Sequence, residues 1–357
     1  MIEQNKILLE DLNAVADSLQ NPEKFRGKNF LITGATGLVG SLLIQELLFL
    51  NDKFNLELKI YAVVRNPEKA SAIFKEKSNC KNLEFIIQDL SAETISFDVE
   101  HIDYIVHAAA VTESKRMVTN PVETLSIAYH STEAIMKYAK KMNVSGVVYI
   151  SSMEVYGQMN EKRKITESDL GYLDLNSVRT CYPEGKRVCE FLCTAYAKEY
   201  GVPVRIARLA QTFGAGVSER ENRVFAQFAK SAIRGEDIVL HTKGESEGNY
   251  VYTSDAVAAI LLLLTDGVSG ESYNVSNEES HLKIREMAEM VLEKFSGGKG
   301  KIVFDIPEDS MKYGFAPTTH MYLSNEKLRK LGWNPRINLP EQYSRMISYW
   351  QSEAVGG

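Results

Sequence analysis

A glycine-rich segment near the start of the chain constrains its fold more than any other feature. The segment Thr33-Gly34-Ala35-Thr36-Gly37-Leu38-Val39-Gly40 follows the apolar run Phe30–Thr33 and leads into a helical pattern at 38–50. Glycines in this arrangement permit a tight turn, a close approach of the backbone to a pyrophosphate, and close packing of helix on strand. The first turn of the helix presents free N–H groups and a positive dipole end to phosphates. The pattern predicts a dinucleotide-binding βα unit; the alternative is a tight turn in another α/β protein.

Apolar runs alternate with helical patterns along residues 27–207. Continuous apolar strands separated by helices are typical of a parallel sheet that is covered on both faces. We therefore predict an α/β fold over this range, with a Rossmann-type doubly wound parallel sheet. The predicted strands are Phe30–Thr33, Lys59–Val64, Leu83–Ile87, Tyr104–His107, Val147–Ser151 and Val204–Ala207, and the longest predicted helices are 122–142 and 182–200.

Two further regions flank this predicted domain. Apolar residues recur at helical spacing over 6–20, so residues 1–26 are predicted to form an N-terminal helical extension. After residue 207 the pattern changes to glycine-rich loops and short helices, with a strand predicted at Glu271–Val275. We predict that residues 208–357 form mainly a smaller α+β substrate-binding lobe, with segments that return to the Rossmann domain.

Composition excludes several classes of function. The net charge is −6 and no basic run stands out, so nucleic acid is not an expected partner. The four Cys and six His show no metal-ligand spacing, and no metal is expected. The longest apolar run, Leu42–Leu50, is far shorter than the roughly 20 residues that cross a bilayer. The N-terminus lacks the pattern of a signal peptide, so we expect a cytoplasmic protein that does not insert into a membrane.

Tyr182 and Lys186 form the most informative side-chain pair. They lie four residues apart within a predicted helix, so they share one helix face about one turn apart. A Tyr with its ordinary pKa of about 10 is a poor base at neutral pH, and a neighbouring ammonium is expected to lower that pKa. The pair is therefore a candidate for moving a proton to or from a hydroxyl. In a chain with 17 Tyr, chance spacing is the alternative.

The ends of the second and third predicted strands bear on the choice of dinucleotide. A carboxylate often accepts the adenosine ribose hydroxyls after the second strand, but Arg65 stands there. A cation suits a 2′-phosphate, so Arg65 favours NADP over NAD; the alternative is a surface Arg beside a turn. Asp89, followed by Leu90, is expected to contact the adenine, and a turn-initiating Asp is the alternative.

Several ordered motifs together resemble the extended short-chain dehydrogenase/reductase family. The resemblance is closest to the sugar-nucleotide epimerases, dehydratases and decarboxylases, and it covers residues 27 to about 350. The motifs are Gly34–Gly40, His107–Ala110, Ser151–Gly157, Tyr182 with Lys186, Arg208–Gly214 and Lys327–Pro335.

The resemblance implies roles at the matching positions. Tyr182 would take the proton from a sugar hydroxyl, Lys186 would hold the nicotinamide ribose, and Ser152 would hydrogen-bond the same hydroxyl. The implied cofactor contacts are Gly34, Thr36, Gly37, Leu38, Val39, Gly40, Arg65, Asp89, Leu90, Ala108, Ala109, Ala110, Tyr182 and Lys186, and the implied substrate contacts are Thr112, Ser152, Met153, Gln211 and Arg223.

Glu154 bears on the type of reaction. A Glu follows the hydroxyl residue in the family's dehydratases and decarboxylases, whereas simple 4-epimerases generally lack it. A carboxylate at this position is a candidate for abstracting the proton next to a transient 4-ketone. Met153 stands where many dehydratases have an acidic Asp, and a thioether cannot donate a proton. Dehydration and epimerisation therefore both stay open, and a structural role for Glu154 is the alternative.

Three positions depart from the family pattern. Ala128 stands in place of an Asn that organises a proton-relay water, and Gln211 stands in place of an Asn that contacts the substrate diphosphate. Gly248 replaces an Arg that clamps the diphosphate, which removes a strong charge-assisted contact. This loss argues against UDP-glucuronate decarboxylation, and Arg220, Arg223 or Lys243 are the candidate substitutes.

These observations lead to one expected function and two alternatives. We expect an NAD(P)-dependent sugar-nucleotide epimerase or dehydratase that works through a transient 4-keto sugar with internal hydride return. The alternatives are an NADPH-dependent carbonyl reductase of the same superfamily with a non-sugar substrate, and a catalytically silent dinucleotide-binding protein. The helices at 122–142 and 182–200 resemble the pair that builds the family's dimer interface, so a homodimer is expected.

Overall fold

The structure, a computed structural model, describes residues 5–92, 95–159, 161–306 and 318–356. The helices are α1 Lys6–Ser18, α2 Leu38–Phe54, α3 Pro67–Phe74, α4 Ser114–Thr119, α5 Pro121–Met142, α6 Cys181–Tyr200, α7 Val224–Arg234, α8 Thr253–Asp266, α9 Ile284–Phe295, α10 Glu326–Arg329 and α11 Leu339–Gly356. The strands are β1 Asn29–Thr33, β2 Lys59–Val64, β3 Leu83–Ile87, β4 Tyr104–His107, β5 Gly146–Ser152, β6 Val204–Leu209, β7 Gln211–Phe213, β8 Ile238–Leu240, β9 Glu247–Tyr252, β10 Ser272–Val275, β11 Asn277–Lys283 and β12 Ile302–Phe304.

A parallel sheet of seven strands forms the centre of the structure, in the order β10-β6-β5-β4-β1-β2-β3. Phe30 in β1 lies between Ile60 in β2 and Tyr104 in β4, so the strand order reverses beside β1. In open α/β sheets, ligands bind outside the carboxyl ends of the strands at this switch point. The predicted Rossmann-type fold and all six predicted strands are confirmed, and the glycine-rich segment lies at the switch point.

The seventh strand, β10, was predicted as a strand within residues 208–357, which were expected to form mainly the C-terminal lobe with segments that return to the Rossmann domain. It pairs in parallel with β6, with Ser272 opposite Ile206 and Val275 opposite Leu209. Tyr273 and Val275 are buried in the main core. The alternation of Tyr273 and Val275 with polar residues predicts a strand without saying which sheet it joins, and the sequence therefore left its partner undecided.

A smaller layer lies beyond the main sheet. It contains a three-stranded sheet in the order β11-β9-β7 and the pair β12-β8. Phe213 from β7 stacks on Phe225 from α7 at 4.4 Å and packs edge-on against Tyr343 from α11. The domain boundaries after residues 26 and 207 stay predictions.

Helix α1 is anchored to the rest of the protein by charged and polar side chains. The Asp11 carboxylate accepts hydrogen bonds from the Tyr252 hydroxyl at 2.6 Å and from Arg345 at 2.7 Å. Arg336 donates to the Ala14 carbonyl and to the Asp255 carboxylate, the latter at 3.1 Å. The N-terminal helix predicted at 6–20 is thus present and is attached to β9, α8 and α11. None of the described helices is both long enough and apolar enough to span a membrane.

Glu46 is a buried carboxyl group in helix α2, next to this anchor. Its side chain is 1 % exposed, and its Oε1 atom has no hydrogen-bond partner among the described residues. Burial raises its pKa well above the ordinary value, and Asp11 adds to the rise, while Arg336 and Lys53 oppose it. The folded protein therefore favours the protonated form of Glu46, and ionisation at higher pH works against folding.

We predict that Glu46→Gln stabilises the protein at pH 8. The unfolded chain releases the Glu46 proton near pH 4.5, so the destabilisation by Glu46 grows as pH rises from there toward the raised folded pKa. Because a glutamine cannot ionise, the variant avoids this destabilisation, and we expect its free energy of unfolding at pH 8 to exceed that of the parent. Denaturant titrations at pH 8 and pH 4 measure this gain and its loss at acid pH.

The matched control is Glu293→Gln on the exposed face of α9, for which we expect no change at either pH. The prediction is contradicted if the variant, compared with the parent protein at the same pH, gains less stability at pH 8 than at pH 4.

Candidate active site

The turn after β1 forms a cradle against the end of β4. Gly34 has a φ of 66°, and a Cβ atom there would lie 2.6 Å from the Ala108 carbonyl carbon. The Gly37 N–H donates to the Gly34 carbonyl at 2.9 Å, and a side chain on Gly40 would collide with that carbonyl. Gly37 is the residue before α2, and it has no side chain that could accept a hydrogen bond from the first turn of the helix. The N–H groups of that turn are therefore available to a ligand. This backbone fits the pyrophosphate of a dinucleotide.

A buried hydrogen-bond chain holds the ends of β1 and β4 together and connects them to α5. The Ala109 N–H donates to Thr33 Oγ1 at 3.2 Å, which lies 2.7 Å from His107 Nδ1. His107 Nε2 lies 3.2 Å from Thr132 Oγ1, which donates to the Ala128 carbonyl at 2.7 Å. Because the Thr132 proton is used by Ala128, His107 must donate from Nε2 and accept from Thr33 at Nδ1.

Neutral His107 fits this chain. Complete burial, with the nearby Lys186 charge, lowers the pKa of His107 to about 3. The imidazole therefore stays uncharged at neutral pH, and its two nitrogens keep opposite hydrogen-bonding roles. In the motif His107–Ala110, the sequence predicted cofactor contacts at the three alanines. It did not predict the structural role of His107.

Ser152, Tyr182 and Lys186 converge at the carboxyl end of β5. The Ser152 hydroxyl accepts from the Glu154 N–H at 3.2 Å and hydrogen-bonds the Tyr182 phenol. The Lys186 ammonium lies 5.9 Å from the Tyr182 ring centre and donates to the Ile150 carbonyl at 2.7 Å. Helix α6 carries Tyr182 and Lys186 on one face, as the spacing predicted, and presents both toward the end of β5.

The prediction that Lys186 lowers the pKa of Tyr182 is wrong, because the side chains around Tyr182 raise that pKa instead. Burial and the Glu154 charge raise the pKa of Tyr182 to about 12, although the Ser152 hydrogen bond, Arg179 and Arg223 oppose the rise. Burial also lowers the pKa of Lys186 to about 8. Burial dominates both groups because charging either one in a low-dielectric environment is unfavourable, and helical spacing carries no information about burial.

Glu154 lies beside Tyr182 and is paired with an arginine that the sequence reasoning missed. Arg179 Nη2 lies 3.1 Å and 2.9 Å from the two Glu154 carboxylate oxygens. The Arg179 guanidinium also lies 5.6 Å from the centre of the Tyr182 ring. The sequence did hold a signal for this arginine. Arg179 precedes Tyr182 by three residues, and side chains three residues apart lie on the same side of a helical turn.

The predicted substrate contacts lie on two sides of this centre. Arg223 directly precedes α7, is paired with Glu221 at 2.7 Å, and is close enough to lower the pKa of Tyr182. Gln211 begins β7 opposite Tyr250, and a Cβ atom on Gly248 would meet no heavy atom within 4 Å. Thr112 is exposed after β4, and Met153 packs partly buried against the main core.

The remaining predicted cofactor contacts lie around the same sheet edge. Arg65 and Asp89 are exposed after β2 and β3, and Arg65 helps to lower the pKa of Asp89. The Asp89 Oδ1 atom accepts from the N–H and the hydroxyl of Ser91 at 2.9 Å and 2.8 Å, as in a turn. The Leu90 side chain is buried in the core. Thr36, Leu38, Val39, Ala108, Ala109 and Ala110 are partly exposed near the glycine turn.

A buried ion pair supports the centre from behind and was also missed. Arg208 on β6 donates to Glu190 on α6 at 2.7 Å, and Ser151 donates to the same carboxylate at 2.5 Å. Glu190 lies one turn after Lys186, and its charge favours the protonated ammonium. In the part of the chain that the structure describes, no group of three or more His, Cys, Asp and Glu side chains is arranged to hold a metal.

Fold and site together define a dinucleotide-binding protein of the dehydrogenase/reductase class. The model of the NAD dependent epimerase/dehydratase family matches residues 30–276, and the chain belongs to this family. UDP-glucuronic acid decarboxylase 1 from Xenopus tropicalis is 30% identical over 336 residues, which cover 91% of this chain and 73% of that protein. The dTDP-D-glucose 4,6-dehydratase from Bos taurus is 26% identical, covering 94% of this chain and 92% of that protein.

Solved structures share the same fold. An epimerase from Methanothermobacter thermautotrophicus has a TM-score of 0.78 at 21% identity, covering 96% of each chain. The dTDP-glucose 4,6-dehydratase from Streptomyces venezuelae, determined with NAD and TYD bound, has a TM-score of 0.73 at 22% identity, covering 92% of this chain and 98% of that chain.

We predict that Gly34→Ala abolishes tight binding of the dinucleotide. The new methyl group would press on the Ala108–Ala109 backbone, whereas at Gly27, with φ of 65°, a Cβ atom would meet nothing within 4 Å. Both substitutions carry the left-handed backbone cost of about 1–2 kcal/mol, but only Gly34→Ala deforms the cradle. Calorimetric titration with NAD and NADP should show a Kd at least about tenfold higher for Gly34→Ala.

Gly27→Ala is the matched control and should bind either dinucleotide as the parent protein does. Equal loss of affinity in the two variants would show that backbone strain alone, and not the contact with β4, causes the effect.

Proposed function

We propose that the chain is a cytoplasmic NAD(P)-dependent enzyme that epimerises or dehydrates a nucleotide sugar through a transient 4-keto sugar. The observation that carries this proposal is the convergence of Ser152, Tyr182, Lys186 and Glu154 beside the dinucleotide cradle. Family membership supports the same class of substrate. The names of the relatives include decarboxylation, dehydration and epimerisation. Each of these reactions can pass through a 4-ketone, so the fate of the ketone is the open choice.

Tyr182 is the proposed acid and base at the sugar hydroxyl. At rest its phenol is protonated, because burial raises its pKa to about 12. Lys186 keeps its ammonium 5.9 Å from the ring, and Ser152 supports the phenolate by donating a hydrogen bond. When bound, the oxidised dinucleotide supplies a hydride acceptor and a positive charge, and after transfer it supplies the hydride donor. Tyr182 takes the hydroxyl proton during oxidation and returns a proton when the ketone is reduced.

Glu154 is the proposed base for the carbon next to the ketone. A ketone acidifies the neighbouring C–H bond, and a carboxylate within the same cleft can accept that proton. Glu154 lies in the turn directly after Ser152, and its partner Arg179 contacts the Tyr182 ring. If the hydroxyl on the next carbon then leaves as water by taking the proton held on Glu154, the result is dehydration. If the ketone instead presents its other face before reduction, the result is epimerisation.

The cradle and the two strand ends are proposed to hold the cofactor. Gly34, Gly37 and the first turn of α2 would hold the pyrophosphate, and Lys186 would hold the nicotinamide ribose. Arg65 favours a 2′-phosphate and hence NADP, whereas the family is named for NAD. Comparing the Kd values of the two dinucleotides decides between them.

The diphosphate of the substrate is proposed to lie near Arg223. Gly248 provides no cation at the position where the family usually has an Arg, and the space beyond its Cα atom is open. Arg223 is exposed at the start of α7 and its charge already acts on Tyr182. A guanidinium that is close enough to act on Tyr182 can also bind the diphosphate that lies beyond the sugar.

A homodimer through α5 and α6 is also part of the proposal. These helices expose large apolar side chains, including Phe191 at 74% and Val122 at 82%. Apolar groups of this size on neighbouring helices favour burial against a second copy.

We predict that Tyr182→Phe lowers kcat by about 10²–10⁴-fold, because the phenol oxygen is the group that moves the proton. Purified parent and variant, each supplied with its dinucleotide, are incubated with UDP-glucose, UDP-glucuronic acid or dTDP-glucose. Products are followed by NMR and the native mass is recorded in parallel. The control is Tyr200→Phe, an exposed phenol at the opposite end of α6 from Tyr182, which should retain the activity of the parent.

Two outcomes would overturn the proposed function. Unchanged turnover in Tyr182→Phe would remove its catalytic role. Steady consumption of NADPH during turnover would show net carbonyl reduction in place of internal hydride return.

We predict that Gly248→Arg increases affinity for a nucleoside diphosphate. A new side chain at Gly248 meets open space, so an Arg there can reach the diphosphate without displacing the backbone. One charge-assisted contact contributes about 1.5–3 kcal/mol, so the Kd of UDP should fall at least about tenfold. The charge-matched control is Val268→Arg, exposed before β10 at the amino ends of the parallel strands, which should leave the Kd unchanged. Equal tightening in both variants would indicate a general effect of net charge.

A further inference from the structure

Arg179 contacts both of the groups to which the proposed chemistry assigns proton transfer. It lies in the helical turn directly before α6, and its Nη2 atom binds the Glu154 oxygens at 3.1 Å and 2.9 Å. The same guanidinium lies 5.6 Å from the Tyr182 ring centre. The side chains of Arg179 and Glu154 are 35% and 38% exposed, so the pair faces the open side of the site and is not part of the core.

A comparison with Arg187 shows that Arg179 does not serve to brace the backbone. Arg187, two turns later and within α6, donates to the Val155 and Gly171 carbonyls at 2.7 Å and 2.8 Å. Among the described residues, the side-chain hydrogen bonds of Arg179 go to Glu154 alone. Its loss would therefore leave the fold intact and free the Glu154 carboxylate.

Fixing that carboxylate has a chemical consequence. A Glu side chain has three rotatable bonds, and an unrestrained carboxylate at a partly exposed position samples many orientations. Proton abstraction from carbon requires the base to lie within hydrogen-bond reach of the proton. The opposite charges of Glu154 and Arg179 also act in opposite directions on the pKa of Tyr182, so the pair limits the effect of the carboxylate on the phenol.

We propose that Arg179 is a positioning residue of this site, which holds Glu154 beside Tyr182 in the orientation required for proton transfer at the carbon next to the ketone. Arg179 acts through Glu154 and takes no proton itself. The proposal rests on the proposed function for the identity of the reaction, but the coupling among Arg179, Glu154 and Tyr182 can be measured without a substrate.

The first test is a double-mutant cycle in the holoenzyme. Arg179→Met, Glu154→Gln, the double variant and Arg179→Lys are assayed with UDP-glucose, UDP-glucuronic acid and dTDP-glucose. We expect Arg179→Met to lower kcat by about 10²-fold with little change in KM, and the double variant to be no worse than Glu154→Gln. Arg179→Lys should recover part of the loss. If the loss of kcat in the double variant equals the product of the losses in the two single variants, the residues act independently and the proposal is overturned.

The matched control is Arg163→Met. Arg163 also binds a carboxylate with two bonds, to Asp169 at 2.9 Å and 2.7 Å, and its side chain is 48% exposed. We expect its kcat to equal that of the parent. A loss as large as that in Arg179→Met would show that removal of any such ion pair causes the effect.

The second test follows Tyr182 itself by NMR in protein labelled at the tyrosine ζ-carbon, with Tyr182→Phe for assignment. The charged groups that face the phenol are Glu154, Arg179, Arg223 and Lys186. Arg179→Met should move the titration of Tyr182 to higher pH, Glu154→Gln should move it to lower pH, and the double variant should lie between them. No movement in either single variant would overturn the proposal.

The two tests separate the possible failures. If the parent turns over none of the three nucleotide sugars while the Tyr182 titration moves as expected, the proposed function fails and the coupling through Arg179 stands. If turnover occurs while Arg179→Met retains the kcat of the parent, the proposed function stands and the positioning role fails.

Discussion

The contact between the turn after β1 and the end of β4 is the constraint on which the rest of the site depends. Gly34 lies so close to Ala108 that even a methyl group would not fit, and the chain of hydrogen bonds from Thr33 through His107 to Thr132 holds this contact from below. Because burial keeps His107 neutral, its imidazole adds no charge beneath the proposed cofactor site. The positive potential of the cradle comes from the first turn of α2.

A second constraint is the burial of cations behind the candidate active site. Lys186 is buried and donates to the Ile150 carbonyl, while Glu190 one turn later shares its carboxylate with Arg208 and Ser151. Glu190 gives both buried cations a nearby counter-charge, and its removal would be costly in a low-dielectric interior. The pair thus fixes α6 against β5 and β6, and so fixes where Tyr182 meets Ser152. Arg179 and Glu154 extend this arrangement to the open side of the site, where a substrate would approach.

Much of the fold and part of the candidate site could be predicted from local patterns. All six strands of the predicted sheet and helix α1 appear within a few residues of their predicted bounds, because apolar periodicity and glycine placement act over short distances. Arg179 and the role of His107 were missed, since each acts through partners distant in the chain. The pKa of Tyr182 was predicted in the wrong direction because spacing reveals a neighbouring cation but not the burial that outweighs it.

The sequence by itself determined the dinucleotide-binding unit, the parallel sheet and the spacing that places Tyr182 and Lys186 on one helix face, because these follow from local backbone preferences and from one stretch of chain at a time. Only the tertiary structure decided that β10 joins the main sheet beside β6, that Arg179 binds Glu154, and that Gly248 opens onto free space. The physical reason is that sheet partners, burial and ion pairs depend on which distant segments meet, and folding brings those segments together through packing that no local pattern encodes.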